Sequence, residues 1–448
     1  MRYIYITLFF LCYIGKTNAQ QEQSLYFMDG NFYNHYTNPA KLPEYKAMFN
    51  ILPTPYFNFS NTGFSFNDLF EEQGDSLMLS PQKLLKSLRK YNFLQLNLNI
   101  DPISFAFRIK KFHFSFNYAM KTSIYLNYPR SFFDLAWEGN GQFLDETVDI
   151  APDFQAMLYN EFAIGAGYQI NDKWSVGGRL KILVGGFDAS TDRASATLYT
   201  NPEIYQLELA TDYRVNVSAF GIPENIREGS KDTTQSNSLD FSKFPRFMGP
   251  NVGAAVDLGG TFQLNDKWRF ALSVTDLGAI RWNTNATNFY SNGQYDYDGL
   301  DVSALVKEEN VEFDVIVDTL VERLQFNQTQ NSYTTWLPVK MYMGAEYTPV
   351  KWFTAGAMVY NEVYKRQAFP AFSLSARFHA GRFFSGGLVY GIRNRRFDNL
   401  GANLMFDLGA LHIFLVSDNI IPIFAPFDAR NTNIRFGIHF NIGKLKKD

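Results

Sequence analysis

At 448 residues the chain is long enough for two or three soluble domains or for one large barrel. Its formal charge of −3 provides no basic surface of the kind nucleic acid requires, so no nucleic-acid partner is expected. Aromatic residues make up 17% of the chain, with 44 Phe and 26 Tyr, yet the mean hydropathy is only −0.20. After the first fifteen residues no apolar run is long enough to cross a bilayer as a helix. A lipid-facing barrel with aromatic girdles reconciles these facts, because only alternate residues of its strands meet lipid.

Residues 1–19 read as a secretory signal: Arg2, an apolar core from Ile4 to Ile14, then the small-residue site Thr17-Asn18-Ala19 with cleavage after Ala19. The single cysteine, Cys12, lies inside it, and Phe10-Leu11 lack the small residue that a lipoprotein signal places before its cysteine. The mature chain is therefore expected to carry no disulfide and no thiolate chemistry. Loss of Arg2 and Lys16 leaves 44 acidic against 39 basic residues, a charge of −5. Residues 20–46 are polar and irregular, and Asn38-Pro39-Ala40 within them makes a proline-fixed turn. A first strand is expected over 48–60, with Pro53 and Pro55 at a bulge or irregular edge. In 80–91, Leu84, Leu85 and Leu88 have helical spacing among Lys83, Lys86, Arg89 and Lys90. This predicts a short amphipathic helix with Ser80 as cap and Pro81 at its first position. Such a helix packs on its own protein or, less commonly, docks on a membrane surface.

From Phe93 the period-two signal is nearly continuous. Leu94, Leu96, Leu98 and Ile100 alternate with polar residues, and so do Phe112, Phe114, Phe116 and Tyr118 across the Lys110-Lys111 turn. The clearest hairpin, 161–184, turns at Asn171-Asp172-Lys173, where Asn and Asp tolerate the positive φ of a tight turn. Beyond it Trp174, Val176, Leu180 and Ile182 share one face. Ser175, Gly177, Arg179 and Lys181 share the other, which must look into the lumen because charge is costly against hydrocarbon. The same device returns at Asn265-Asp266-Lys267-Trp268, placing Arg269 on the lumen face and a second tryptophan at girdle height. Trp352 marks a third hairpin without the girdle pattern, and further turns fall near Gly381 and Gly409. Gly185-Gly186 and Gly259-Gly260 relieve crowding where the wall bends. Long links at 128–153, 219–246, 283–332 and 418–431 contrast with these short turns. The strand count is sixteen if 191–200 and 204–218 cross the membrane, and fourteen if they form an external hairpin. Both counts are even, as a single-chain bacterial barrel requires. The last strand, with Ile434, Phe436, Ile438, Phe440 and Ile442 on one face, closes a barrel spanning 47–442 and leaves 443–448 as a periplasmic tail.

Sites of chemistry are sparse. His35, His113, His379, His412 and His439 include no pair with ligand spacing along a strand, so they read as polar lumen residues and no metal is expected. Asp296-Tyr297-Asp298-Gly299-Leu300-Asp301 departs from a calcium loop, with glycine fourth and Lys307 at twelve. Phe313, Ile316, Val317, Leu320 and Leu324 after it have the spacing of a helix over the barrel mouth. A Gly-x-Ser-x-Gly elbow and a phosphate-binding glycine loop are both absent from the sequence, so no catalytic residue and no cofactor is assigned.

Three resemblances sharpen this reading. Arg435, Gly437, Phe440 and Ile442 fill the four slots of the C-terminal signal of bacterial outer-membrane barrels, which implies a membrane-insertion signal, the barrel-assembly machinery as a partner and outer-membrane lipid as surroundings. Asn38-Pro39-Ala40 resembles the hatch motif of the long-chain fatty-acid transporter superfamily, which includes the PorV-like barrels of Bacteroidota. That resemblance implies fourteen strands and an N-terminal segment, 20–46, folded into the lumen as a plug. Gly178-Arg179-Leu180-Lys181-Ile182-Leu183, Val256-Asp257-Leu258-Gly259, Val274-Thr275-Asp276-Leu277-Gly278 and Ser417-Asp418-Asn419 together resemble a Bacteroidota outer-membrane family of unknown function. It brings no activity with it. Two expectations follow for a non-enzymatic protein of the bacterial outer membrane. In the first, the plugged lumen passes or binds a hydrophobic small molecule, with Asn38, Pro39 and Ala40 positioning the plug and Arg179, Lys181 and Arg269 lining the lumen. In the second, the barrel anchors a secreted or surface protein, as PorV-like barrels are thought to do.

Overall fold

Alternation of apolar and polar residues gives each strand a greasy face and a wet face, and hydrogen bonding between neighbours then rolls the sheet until its edges meet. The computed structural model describes residues 22–445 apart from 74–75, 204–205, 220–249, 298–326, 366, 382 and 394–395. In chain order the first strands are β1 (Tyr45–Asn50), β2 (Thr54–Asn61), β3 (Phe70–Gln73), β4 (Ser76–Leu79), β5 (Tyr91–Ile109), β6 (Phe112–Pro129) and β7 (Thr147–Asp149). Next come β8 (Asp153–Gln169), β9 (Trp174–Thr200), β10 (Leu207–Ala219), β11 (Asn251–Gln263), β12 (Trp268–Trp282), β13 (Ala286–Tyr297), β14 (Asn327–Thr329) and β15 (Tyr333–Trp336). The last are β16 (Val339–Val350), β17 (Phe353–Tyr364), β18 (Gln367–Ala380), β19 (Phe384–Arg393), β20 (Arg396–Asp407), β21 (Leu411–Ser417) and β22 (Asn431–Lys444).

The wall is a closed antiparallel barrel of fourteen strands. Its order is β1 with β2, then β5, β6, β8, β9, β11, β12, β16, β17, β18, β19, β20, β21 and β22, and β22 pairs back onto β1 and β2. β1 and β2 are two halves of one wall strand, interrupted at Ile51-Leu52-Pro53, and both lie between β5 and β22. The interruption is the irregularity expected of Pro53, while Pro55 sits inside β2 opposite Ile100. The first wall strand begins at Tyr45 and the last ends at Lys444, against the 47–442 expected.

The fourteen-strand alternative is the one observed, and β9 explains why. Its first half, from Trp174 to Gly185, pairs with β11 in the wall, whereas its second half pairs with β10 from Phe187 to Thr200. β10 in turn pairs along its length with β13. The far half of β9 and β10 are therefore a hairpin that extends the sheet beyond the wall and does not add two wall strands.

Face assignments follow the alternation. On β9, Leu180 is 68% exposed while its neighbours Arg179 and Lys181 are buried in the lumen. Trp174 and Trp268 lie on the outer surface just past their turns, and Trp352 is exposed there too, against Phe378. The turn mechanism differs from expectation. Neither Asn171 nor Asp172 has positive φ. Instead the Asn171 Oδ1 accepts from the backbone N–H groups of Lys173 and Trp174, both at 2.9 Å, and Asn265 does the same for Lys267 and Trp268 at 3.0 and 2.9 Å. An asparagine side chain that mimics the turn carbonyl removes the need for a left-handed residue.

The expected amphipathic helix forms at Pro81–Ser87 with Pro81 at its start, but the Ser80 hydroxyl donates to Glu71 (3.1 Å) and caps nothing. The secretory signal with Cys12, most of the 219–246 link, residues 298–301 of the calcium-like stretch and the helix expected around Phe313 to Leu324 lie outside the described residues.

Candidate functional site: a hatch in a charged lumen

Residues 22–44 leave the wall and fill the lumen. Apolar side chains drive this, because Leu25, Phe32 and Tyr33 bury themselves against Met48, Phe414 and Val416 of the wall, and Tyr26 and Phe27 against Tyr342, Met358 and Tyr360. A short helix, Gln23–Tyr26, and a 3-10 turn, Phe32–Tyr36, shape the segment. Asn31 starts the second by accepting from the Tyr33 N–H at 2.8 Å.

Three polar anchors fix the hatch. Asn38 Nδ2 donates to the carbonyls of Gly260 (3.2 Å) and Leu272 (3.3 Å), while its Oδ1 accepts from the Ala40 N–H at 2.9 Å. The Pro39 carbonyl meets His113 Nε2 at 3.1 Å. The wall is shaped for this contact: a Cβ at Gly259 would lie 2.1 Å from Asn38 Oδ1, and one at Gly177 would lie 2.2 Å from the Pro39 carbonyl oxygen. Gly259 thus marks a docking notch for the hatch, not the wall bend expected from sequence. The second anchor is Asp29, held by Arg269 (2.6 Å) and Arg377 (2.7 Å), with Glu346 also against Arg269. Burial alone would raise the Asp29 pKa, but the Arg269 and Arg377 guanidiniums hold it well below the usual carboxylate range. At the third, Glu22 pairs with Arg435 at 2.5 Å, and the Ser24 N–H donates to Asp418 at 2.6 Å.

Above the hatch the lumen is a cage of opposite charges. Arg179 pairs with Asp257 (3.0 Å) and lies 4.8 Å above the Tyr36 ring. Lys181 bridges Asp257 (2.7 Å) and Asp276 (2.5 Å), Lys340 reaches Asp276 (3.0 Å), and Lys121 pairs with Glu161 (2.6 Å). The free space among these residues is about 40 Å³, room for a few water molecules. On the turn side of the hatch the lumen widens into a vestibule of about 1000 Å³.

A second closure lies nearer the loops. Phe93 of β5 meets Phe369 of β18 with ring centroids 5.4 Å apart, and Tyr125 of β6 stacks on Tyr364 of β17 at 4.4 Å. These strands stand on opposite sides of the barrel, so the rings close it wall to wall. Tyr125 also donates to Glu362 (2.7 Å), and Lys365, at positive φ, reaches Asp153 and the carbonyls of Phe154 (2.9 Å) and Thr191 (2.6 Å).

The structure thus brings Asn38, Pro39 and Ala40 together on the wall and joins Arg179 with Lys181 in the cage. It separates Arg269, which serves the Asp29 anchor. The insertion-signal residues divide by parity: Arg435 and Gly437 face the lumen, where Arg435 also pairs with Asp101 (2.8 Å), while Phe440 stacks on Phe49 (5.3 Å) on the outer face with Ile442. Sequence reasoning did not single out Asp29, Glu22, Arg377, Glu346 or the four constriction rings. A charged residue at lumen parity, such as Arg377 or Glu346, was the available signal.

Among the histidines, His35 contacts the Phe32 carbonyl (2.5 Å) and His113 the hatch. His412 contacts Asp407 (2.9 Å) and Tyr45 (3.0 Å) near His439. Among the described residues no group of three or more His, Cys, Asp or Glu could hold a metal ion.

A family model, described as a family of unknown function (DUF5723), matches residues 39–418. The chain belongs to DUF5723. No curated protein matches it. This DUF5723 barrel is similar in structure to a Pseudomonas aeruginosa FadL homologue, with 9% identity, a TM-score of 0.43 and coverage of 96% of this chain and 100% of that one. The P. putida toluene transporter TodX shows 9% identity and a TM-score of 0.40 over 92% and 94% of the two chains. The translocator domain of the autotransporter NalP from Neisseria meningitidis shows 7% identity and a TM-score of 0.32 over 89% and 88%.

Proposed function

We propose that this DUF5723 protein is a gated conduit of the bacterial outer membrane that passes or binds a small hydrophobic molecule. The observation that carries the reading is the hatch itself. Residues 22–44 are held by side-chain contacts and ion pairs and contribute no strand to the wall, so they can withdraw without opening the barrel. The outer surface, with apolar side chains such as Ile164, Leu180, Ile182 and Leu272 exposed, suits hydrocarbon and not water. Aromatic side chains at the constriction and around Tyr342 and Tyr360 supply apolar contacts, and the charged cage between them requires the ligand to carry a polar group.

The test is single-channel conductance of the purified protein in a planar bilayer, with and without residues 20–44, which spares β1, and with Phe93→Ala and Tyr364→Ala added to the deletion. A silent barrel that conducts once the hatch, or the hatch and the rings, are removed supports the conduit. Silence in every form refutes it.

The second reading, an anchor for a secreted or surface protein, is favoured by one feature. The far half of β9, with β10 and β13, projects beyond the wall. Crosslinking from Glu203, at the tip of the β9–β10 hairpin, to a partner on intact cells would support it.

A further inference from the structure

The loop between β2 and β5 does not fold over the barrel mouth. Its helix, Pro81–Ser87, buries Leu84, Leu85 and Leu88 against Tyr128, Leu94 and Leu126. Those three have the outward parity of β5 and β6, since Phe93 and Tyr125 beside them point into the lumen constriction. The loop is therefore draped on the outer face, at the loop end of the apolar belt. From it the β3–β4 hairpin protrudes with Leu77, Met78 and Leu79 all exposed, on both faces of the strand. Phe66 beside it packs at a tilt against Phe70 (4.7 Å) and Phe427 of the 418–430 loop (5.2 Å), and Phe424 there is 82% exposed. A patch of this kind, continuous with a lipid-facing belt, lacks only its covering.

The charge beside it is equally distinctive. Lys83 and Lys86 of the helix and Arg89 and Lys90 just after it are all exposed, with the Lys83 Nζ also donating to the Phe70 carbonyl (3.2 Å). Among the described residues the nearby carboxylates are largely engaged elsewhere: Glu71 takes the Ser80 hydroxyl, Glu72 lies on β3, and Asp68 and Asp134 are paired with Arg430 and Arg130. Apolar side chains next to outward lysines are the composition of a segment that lies in a membrane interface.

We propose that the described residues of this loop, 63–73 and 76–90, form a lip set into the outer leaflet of the membrane, with Leu77, Met78 and Leu79 among the acyl chains and Lys83, Lys86 and Lys90 on phosphorylated lipid headgroups. The inference rests on the membrane reading above and adds a lipid-binding surface to it. To test it, Met78→Cys and, as a water-exposed control, Glu203→Cys carry nitroxide labels in a Cys12→Ser background. The protein is reconstituted in phosphatidylcholine bilayers with and without phosphatidic acid, and heat-modifiable migration on gels verifies the folded barrel. The expected result is a label at 78 several-fold more accessible to oxygen than to an aqueous nickel chelate, with the reverse at 203. Phosphatidic acid retained per barrel, read by native mass spectrometry, should fall several-fold in the combined Lys83→Glu, Lys86→Glu, Lys90→Glu variant. A label at 78 that stands in water in an inserted barrel overturns the lip, and one that becomes covered only when a surface protein is added assigns the face to that protein instead. Undiminished phosphatidic acid in the triple variant overturns the headgroup contact. A folded barrel that fails to float with vesicles overturns the membrane reading itself.

Discussion

Replacing Asp29 by Asn tests whether the hatch is held electrostatically. The substitution keeps the shape and removes the charge that sits 2.6 Å from Arg269 and 2.7 Å from Arg377, leaving two guanidiniums to share Glu346. Asp29 is partly open to the vestibule, so the full 3–5 kcal/mol of a broken buried pair, about the upper limit here, is not expected. Hydrogen bonds to charged groups contribute about 1.5–3 kcal/mol each, and one lost anchor of about 2 kcal/mol shifts the docking equilibrium roughly thirtyfold. Amide hydrogen exchange of residues 22–44 reads this directly, because local opening sets their protection. The expected outcome is exchange faster by about that thirtyfold factor across the hatch, with the wall strands unchanged. Hatch protection that stays within a factor of about three of the wild type would refute the reasoning and leave apolar packing as the dominant hold.

The same anchor predicts a pH response. Asp29 is depressed in the folded state, so its contribution is fully present above its unfolded value near 3.8 and is lost as pH falls through the lower folded value. The Asp29 contribution should therefore be constant above about pH 5 and lost only in stronger acid, whereas burial holds His35 of the hatch well below its ordinary value of 6.5, so protection should already begin to weaken as pH falls below about 6.5, as exchange corrected for intrinsic rate would reveal. Gly259→Ala puts a methyl group 2.1 Å from Asn38 Oδ1, so the triplet must leave its notch at a cost of about 1–3 kcal/mol, seen as faster exchange around residues 36–42 in a barrel that still migrates as folded. Arg435→Leu strands Glu22 and Asp101 in the lumen without their cation, a loss of about 3–5 kcal/mol that should appear as a lower folding yield into lipid vesicles.

Much of the wall was legible because a two-residue period needs no long-range information. Arg179 and Lys181 declared the lumen face of β9 by parity alone. What they pair with was not legible, because Asp257 reaches Arg179 only through the stagger of β11 against β9, a property of the closed barrel. The choice between fourteen and sixteen strands stayed open for a related reason. Residues 187–219 alternate as well as any wall strand, and nothing in their pattern says where the hydrocarbon ends. The Asn38-Pro39-Ala40 triplet pointed to a plug, yet the glycines that admit it, Gly177 and Gly259, looked like ordinary strand glycines until the hatch lay against them. The Phe93–Phe369 and Tyr125–Tyr364 contacts depend on how far opposite walls approach, which no local pattern encodes.

Arg435 has a consequence for biogenesis. The hatch begins at the start of the described chain, but the cation that receives Glu22 stands on β22, and Asp418, which receives the Gln23 and Ser24 amides, lies 395 and 394 residues away. A nascent barrel can therefore dock Asn38 and Asp29 on strands already in place, but it completes the hold on its plug only when the C-terminal strand has arrived and zipped onto the first. The last strand thus closes the seam and locks the stopper in one step.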